Sequence, residues 1–79
     1  MRVLYFAGAA DAAGTPAHDF PEFAGGTSAD VWRVILSRHP ALEPLKNSCR
    51  LARNSSHAAE NEIFQPGDEV AVLPPVSGG

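Results

Sequence analysis

The sequence has a single cysteine, Cys49, in 79 residues, so it cannot build an internal disulfide framework. Basic residues are scarce. Six Lys and Arg stand against nine Asp and Glu, for a formal net charge of -3. Nothing forms a basic patch, which makes nucleic acid a poor partner for this chain. Long hydrophobic runs are missing as well. The longest uncharged apolar stretch, from Val3 to Ala10, falls far short of the about 20 residues a bilayer-spanning helix needs. It also lacks the basic n-region and cleavage pattern of a secretory signal. These absences point to a soluble cytoplasmic protein, away from membranes. Charged residues make up only 19%, but 44% hydrophobic residues argue against disorder.

Length excludes more. The chain makes one small domain, expected to span residues 1–79. A domain of about this size buries only roughly 60% of the surface its unfolded chain exposes. It has little stability to spare, and a deeply enclosed active site is not expected. Domains this small carry, bind or regulate.

The pattern along the chain predicts where that domain is built. Arg2 to Ala7 is rich in β-branched and aromatic residues and reads as a central strand covered on both faces, ended by Gly8. The alanine-rich stretch from Ala9 to Gly14 allows a short helix, broken at Thr15-Pro16. Ala17 to Phe23 reads as a second strand, and Pro21 places it at an edge or bends it there. After Gly25-Gly26, Thr27 or Ser28 is a helix N-cap with Asp30 in the first turn. The helix runs from about Ser28 to His39. Its i, i+4 pairs Val31/Ile35 and Trp32/Leu36 give a wide apolar face, and Pro40 stops it.

Ala41 to Ser48 reads as a loop with room for one helical turn. Cys49 to Arg53 alternates as a half-buried strand, Asn54-Ser55-Ser56 is a turn, and His57 to Glu60 returns as a short strand. Gln65-Pro66-Gly67-Asp68 fits a type II turn with Gly67 at positive φ. Glu69 to Leu73 is the last strand, and Pro74-Pro75 stiffens the chain beyond it. No internal repeat or linker is present. The order predicts an α+β roll, with one main helix packed across a mixed sheet.

The last two residues, Gly78 and Gly79, are the first candidates for chemistry. At background glycine usage such an ending arises by chance in roughly 0.5% of chains. Without a Cβ, both residues can thread a narrow channel and approach another protein's backbone closely. The terminal carboxylate is ionised at neutral pH and is a poor electrophile; activation as a mixed anhydride with AMP would open it to a sulfur or nitrogen nucleophile. On Gly-Gly alone, a frayed terminus is an equally good account.

The other candidates have plainer readings. Cys49 lies beside no histidine and reads as a small buried hydrophobe. His18, His39 and His57 are widely spaced and show no pairing typical of zinc ligands. Gly25-Gly26-Thr27-Ser28 lacks the lysine of a P-loop and reads as a capped helix start. Trp32 reads as core, and Asp68-Glu69 as part of a turn.

The residues before Gly-Gly form a more specific string. Pro-Pro-Val-Ser-Gly-Gly, residues 74–79, follows Pro-Gly-Asp-Glu-Val-Ala-Val-Leu, residues 66–73. It resembles the C-terminus of the MoaD-like branch of ubiquitin-like sulfur carriers, the small subunits of molybdopterin synthases. Val3-Leu4-Tyr5-Phe6-Ala7 resembles that family's first strand, and Asn54, Gly67, Asp68 and Glu69 fall where its members carry the same residue types. The resemblance is strong over residues 64–79, fair over 1–7 and weak over 9–25.

The resemblance implies a ubiquitin-like β-grasp fold and a protein that is not an enzyme on its own. It implies that an ATP-using, ubiquitin-activating-like adenylyltransferase activates the Gly79 carboxylate, and that a sulfurtransferase or cysteine desulfurase relay converts it to a thiocarboxylate. The tail, residues 74–79, then enters the large catalytic subunit, in a heterotetramer, and gives sulfur to cyclic pyranopterin monophosphate. No cofactor is held permanently. Gly78 gives close passage, and Pro74 and Pro75 hold the tail extended. Phe6, Leu73, Pro74, Pro75, Val76 and Ser77 are the expected partner contacts. His57 stands where the family leads one to expect an apolar contact. Two other functions stay open: sulfur delivery to thiamin thiazole, cysteine or tRNA, and a ubiquitin-like protein modifier or binding module.

Overall fold

The computed structural model of the chain describes residues 1–75. Five strands form one sheet in the order β2-β1-β5-β3-β4, where β1 is Arg2–Tyr5, β2 Ala17–Asp19, β3 Arg50–Arg53, β4 Ser56–His57 and β5 Glu69–Leu73. Strand β5 runs parallel to β1 and antiparallel to β3, so it is hydrogen-bonded on both sides. Two helices, α1 (Gly8–Ala13) and α2 (Ser28–Arg38), and a 3₁₀ helix (Pro40–Ser48) complete the architecture. This is the expected mixed-sheet roll.

Period-two alternation sorts the sheet into two faces. Val3 and Tyr5 of β1, Leu51 of β3, and Val70 and Val72 of β5 point into the core. There they join Val31, Trp32 and Ile35 of α2, Leu42, Phe20, Phe23 and Phe64. Trp32 is core, as its helical position predicts. The expected double cover of β1 is not found: Leu4 is half-buried and Phe6 is 46% exposed. Among the described residues, the helical segments pack on the opposite face.

Helix α2 starts where the sequence says. Thr27 Oγ1 accepts from the Asp30 N–H at 3.4 Å, and Asp30 Oδ2 accepts from the Thr27 N–H at 2.9 Å, a capping box. The Thr27 N–H and hydroxyl, with Arg33, hold the Asp30 carboxyl below its ordinary range. Gly26, at φ 150, is needed here because a Cβ would collide with the Asp30 carboxylate. Its backbone pairs with Phe64 through two hydrogen bonds of 3.0 and 2.7 Å, tying the start of α2 to the approach to β5.

Several local expectations change. Strand β2 stops at Asp19, short of the expected Phe23; Pro21 cannot donate to a ladder, and β2 does lie at the sheet edge. The expected loop at 41–48 is a nine-residue 3₁₀ helix with Pro44 inside. Strand β3 begins at Arg50, which leaves Cys49 at the end of the 3₁₀ helix, and β4 is only Ser56–His57. The 65–68 turn exists, closed by the Asp68 N–H on the Gln65 carbonyl at 3.1 Å, but it is not type II, since Gly67 is not at positive φ. Positive φ falls instead on Asn54 (50°) and Ser55 (73°), the two central residues of the β3–β4 hairpin, as a type I′ turn requires.

Asp68 joins these pieces. It is buried, and its carboxylate accepts from Arg53 Nε, from Asn54 Nδ2 at 3.0 Å and from the Gln65 N–H at 2.7 Å. Arg53 reaches on to Glu62 at 3.1 Å, and Asn54 Oδ1 accepts from the Glu69 N–H at 2.9 Å. Burial alone would raise the Asp68 carboxyl, but these donors outweigh it and hold it below the usual carboxylate range. A depressed carboxyl stabilises the fold above its unfolded-state pKa, and that contribution fades as pH falls through the folded value. Asp68→Asn should therefore cost about 1.5–3 kcal/mol in urea unfolding at neutral pH, and the difference from the unaltered protein should narrow in strong acid.

Candidate functional site

The face of the sheet that no helix covers is organised in rows, set by strand register. Across the middle run Ala17, Leu4, Ala71, Ala52 and His57, each opposite the next on its neighbouring strand. On one side lies a charged row of Asp19, Arg2 and Glu69, in which Arg2 Nη1 pairs with Asp19 Oδ1 at 3.1 Å. Both partners of that pair are well exposed, so it adds little stability and serves as a polar rim. On the other side, Leu73 stands opposite Arg50, and Phe6 follows directly after Tyr5, which pairs with Val72. The result is an apolar stripe of Leu4, Ala71, Leu73 and Phe6, with charges at its borders.

Strand β5 carries the chain out of the sheet at the Leu73 end of this stripe. Pro74 is half-buried and Pro75 exposed, and both have extended-type restrictions on φ and no N–H. The fold thus brings Phe6, Leu73, Pro74 and Pro75 to one end of one face. Val76, Ser77, Gly78 and Gly79 lie outside the described residues. His57 sits on the same face, exposed at the β4 end of the middle row opposite Ala52.

Elsewhere the chemistry is sparse. A groove of about 380 Å³ between α2 and β4 is lined by Trp32, Cys49, Arg50, His57 and Glu60, among others. Burial pushes the Cys49 thiol up from its ordinary value, so it is protonated at neutral pH and a weak nucleophile. Among the described residues no group of three His, Cys, Asp or Glu side chains could hold a metal ion. None of the helices described is long and apolar enough to cross a membrane. One contact escaped the sequence: His18 Nδ1 and His39 Nε2 are 2.9 Å apart. The two histidines are far apart along the chain, and only the docking of β2 beside the end of α2 joins them.

Comparison with known proteins agrees with this arrangement. The profile of the ThiS family matches residues 3–79. The molybdopterin synthase sulfur carrier subunit of Chlamydomonas reinhardtii is 36% identical over 81 residues, covering 100% of this chain and 98% of the relative. The human molybdopterin synthase sulfur carrier subunit is 33% identical over 82 residues, covering 100% and 93%. In three dimensions the chain is similar to the crystal structure of SAMP1 from Haloferax volcanii, with a TM-score of 0.79 and 31% identity over 100% of this chain and 98% of that one. With a helix across a mixed five-stranded sheet and similarity along its whole length, the chain belongs to the ThiS family and has a ubiquitin-like β-grasp fold.

Proposed function

We propose that this protein is the sulfur carrier of a molybdopterin synthase, with Gly79 as the carrier residue. The observation that carries the reading is the exit of β5, through Pro74 and Pro75, from the end of an uncovered apolar stripe into Val-Ser-Gly-Gly. Full-length similarity to proteins named molybdopterin synthase sulfur carrier subunit supports it. The stripe of Phe6, Leu4, Ala71 and Leu73 docks on the large catalytic subunit. The tail then reaches that subunit's active site, with Val76 and Ser77 as contacts and Gly78 fitting where a side chain would not. Two prolines restrict the free chain, which lowers the entropy lost on docking.

The chemistry starts at the carboxylate. Its oxygen attacks the α-phosphorus of ATP in a ubiquitin-activating-like adenylyltransferase and releases pyrophosphate. A persulfide from a sulfurtransferase or cysteine desulfurase relay then attacks the acyl carbon and expels AMP. A second thiol of the relay cleaves the resulting S–S bond, forms a disulfide and leaves the thiocarboxylate on Gly79. In the large subunit that sulfur passes to cyclic pyranopterin monophosphate, and water returns Gly79 to a carboxylate. The small protein supplies the reacting group and its delivery; acid–base catalysis belongs to the partner.

A second reading is a protein modifier, joined through Gly79 to substrate amines. The similarity to SAMP1, a small archaeal modifier protein, favours it. The two readings share activation and differ in the nucleophile.

Deleting Gly79 should leave circular dichroism and urea unfolding unchanged and abolish molybdopterin formation in a reconstituted synthase. Synthesis that survives the deletion rejects Gly79 as the carrier. Phe6→Asp should also leave the fold intact, since Phe6 is exposed, but weaken binding to the large subunit roughly tenfold or more by calorimetry.

A further inference from the structure

Away from the uncovered sheet face, one polar cluster sits at the junction of β2 with the end of α2. His18 Nδ1 meets His39 Nε2 at 2.9 Å, and Arg38 Nη1 meets His18 Nε2 at 3.2 Å. The rings are also packed. His18 lies 4.8 Å from the Phe20 ring, and His39 stands edge-on to Tyr5 at 5.3 Å. Both histidines are half-buried.

These contacts fix where the protons are. A guanidinium only donates, so His18 Nε2 must accept from Arg38. A neutral imidazole has one donor and one acceptor, so the proton of His18 is on Nδ1. That N–H donates to His39 Nε2, which leaves the proton of His39 on its own Nδ1. The chain of donors runs Arg38 to His18 to His39, and it holds only while both rings are neutral. Every way of adding one proton makes a donor face a donor, at the His18–His39 contact or at the Arg38–His18 contact. Of the charged groups around the cluster, the Arg38 guanidinium opposes protonation of the rings and the Glu22 carboxylate favours it. Arg38 is a fixed cation, and its Nη2 is paired with Glu22 Oε2 at 3.5 Å, on the loop after β2. From β1, Tyr5 presents a buried hydroxyl with no hydrogen-bond partner among the described residues, raised to about 12 by burial and therefore uncharged.

We propose that Arg38, His18 and His39 form a pH-sensitive relay that ties the edge strand β2 to the C-terminal end of α2 when both imidazoles are neutral and loses a link in mild acid. The environment of His39 fits this: burial, then the neighbouring His18 and Arg38, lower its pKa. The sign follows. A histidine whose folded pKa is depressed contributes stability that is present above its unfolded value and is lost as pH falls through the folded value, because the unfolded chain binds the proton more readily. The junction therefore weakens as pH drops through and below the ordinary histidine range near 6.5. Among the described residues, edge strand β2 has β1 as its one sheet neighbour, so its link to α2 is a large part of what holds it.

Nitrogen-15 spectra of the imidazoles in the unaltered protein test the relay directly. At about pH 7.5, where histidine is ordinarily neutral, both His18 and His39 should carry their proton on Nδ1. His39 should titrate below the ordinary histidine value of about 6.5. A His18 proton on Nε2, or a His39 midpoint at or above the ordinary histidine value of about 6.5, overturns the proposal. A variant gives a second readout. His39→Phe keeps an aromatic ring against Tyr5 and Phe20. The urea midpoint of the unaltered protein should shift to lower concentration between about pH 7.5 and 5.5, and that shift should be smaller in the variant. Equal shifts in the two proteins contradict the relay. If His39→Phe does not fold, the proton positions in the unaltered protein still decide.

Discussion

The parallel pairing of β1 with β5 is the constraint on which the rest of this structure depends. Residue by residue, Arg2 meets Glu69, Val3 meets Val70, Leu4 meets Ala71 and Tyr5 meets Val72. Parallel neighbours cannot be joined by a tight turn, so everything from residue 6 to residue 68 serves as the connection between them. That connection contains the helices, the edge strand β2 and the β3–β4 hairpin that pairs with the other side of β5. Strand β5 is the last of the described strands and central in the sheet. Whatever follows it leaves from a fully paired strand rather than from a frayed edge.

Size then decides what the sheet can offer. The two helices and the 3₁₀ helix bury Val3, Tyr5, Val70 and Val72 on one face, and none of the helices among the described residues buries the other. Leu4, Ala71 and Leu73 consequently stay partly open, with Phe6 beside them. In a domain with so little stability in reserve, this apolar stripe is a cost unless a partner covers it. The buried Asp68 keeps the geometry fixed where it matters. By gathering Arg53, Asn54 and the Gln65 N–H, it sets the point at which β5 begins, and through β5 the place where the tail departs.

How much of this the sequence discloses depends on the range of the interaction involved. Helix α2 is legible because its signals are local: Thr27 with Asp30 at the start, the i, i+4 apolar pairs, and Pro40 at the end. Strand β5 is legible for the same reason, bounded by Pro66-Gly67 and Pro74-Pro75. Gly67 misleads because glycine permits positive φ without requiring it, whereas Asn54 and Ser55 adopt it because the hairpin between β3 and β4 leaves two residues to turn in. The 3₁₀ helix is hidden by Pro44 and by its three-residue period, which resembles neither an amphipathic helix nor a strand. The apolar stripe and the His18–His39 contact are invisible locally, since each is assembled by register and docking between distant segments. At the candidate site the balance reverses. The Pro-Pro-Val-Ser-Gly-Gly string is read from sequence, and Val76, Ser77, Gly78 and Gly79 lie beyond the described residues.

The central claim is that this compact roll exists to present one carboxylate to other proteins. The most direct test is the mass of the C-terminal peptide after incubation with the activating adenylyltransferase, ATP and a persulfide donor. The account predicts that one oxygen of Gly79 is replaced by sulfur. An unchanged carboxylate, under conditions where the same enzymes load a known carrier, would contradict it, as would a peptide joined to an amine with no thiocarboxylate formed.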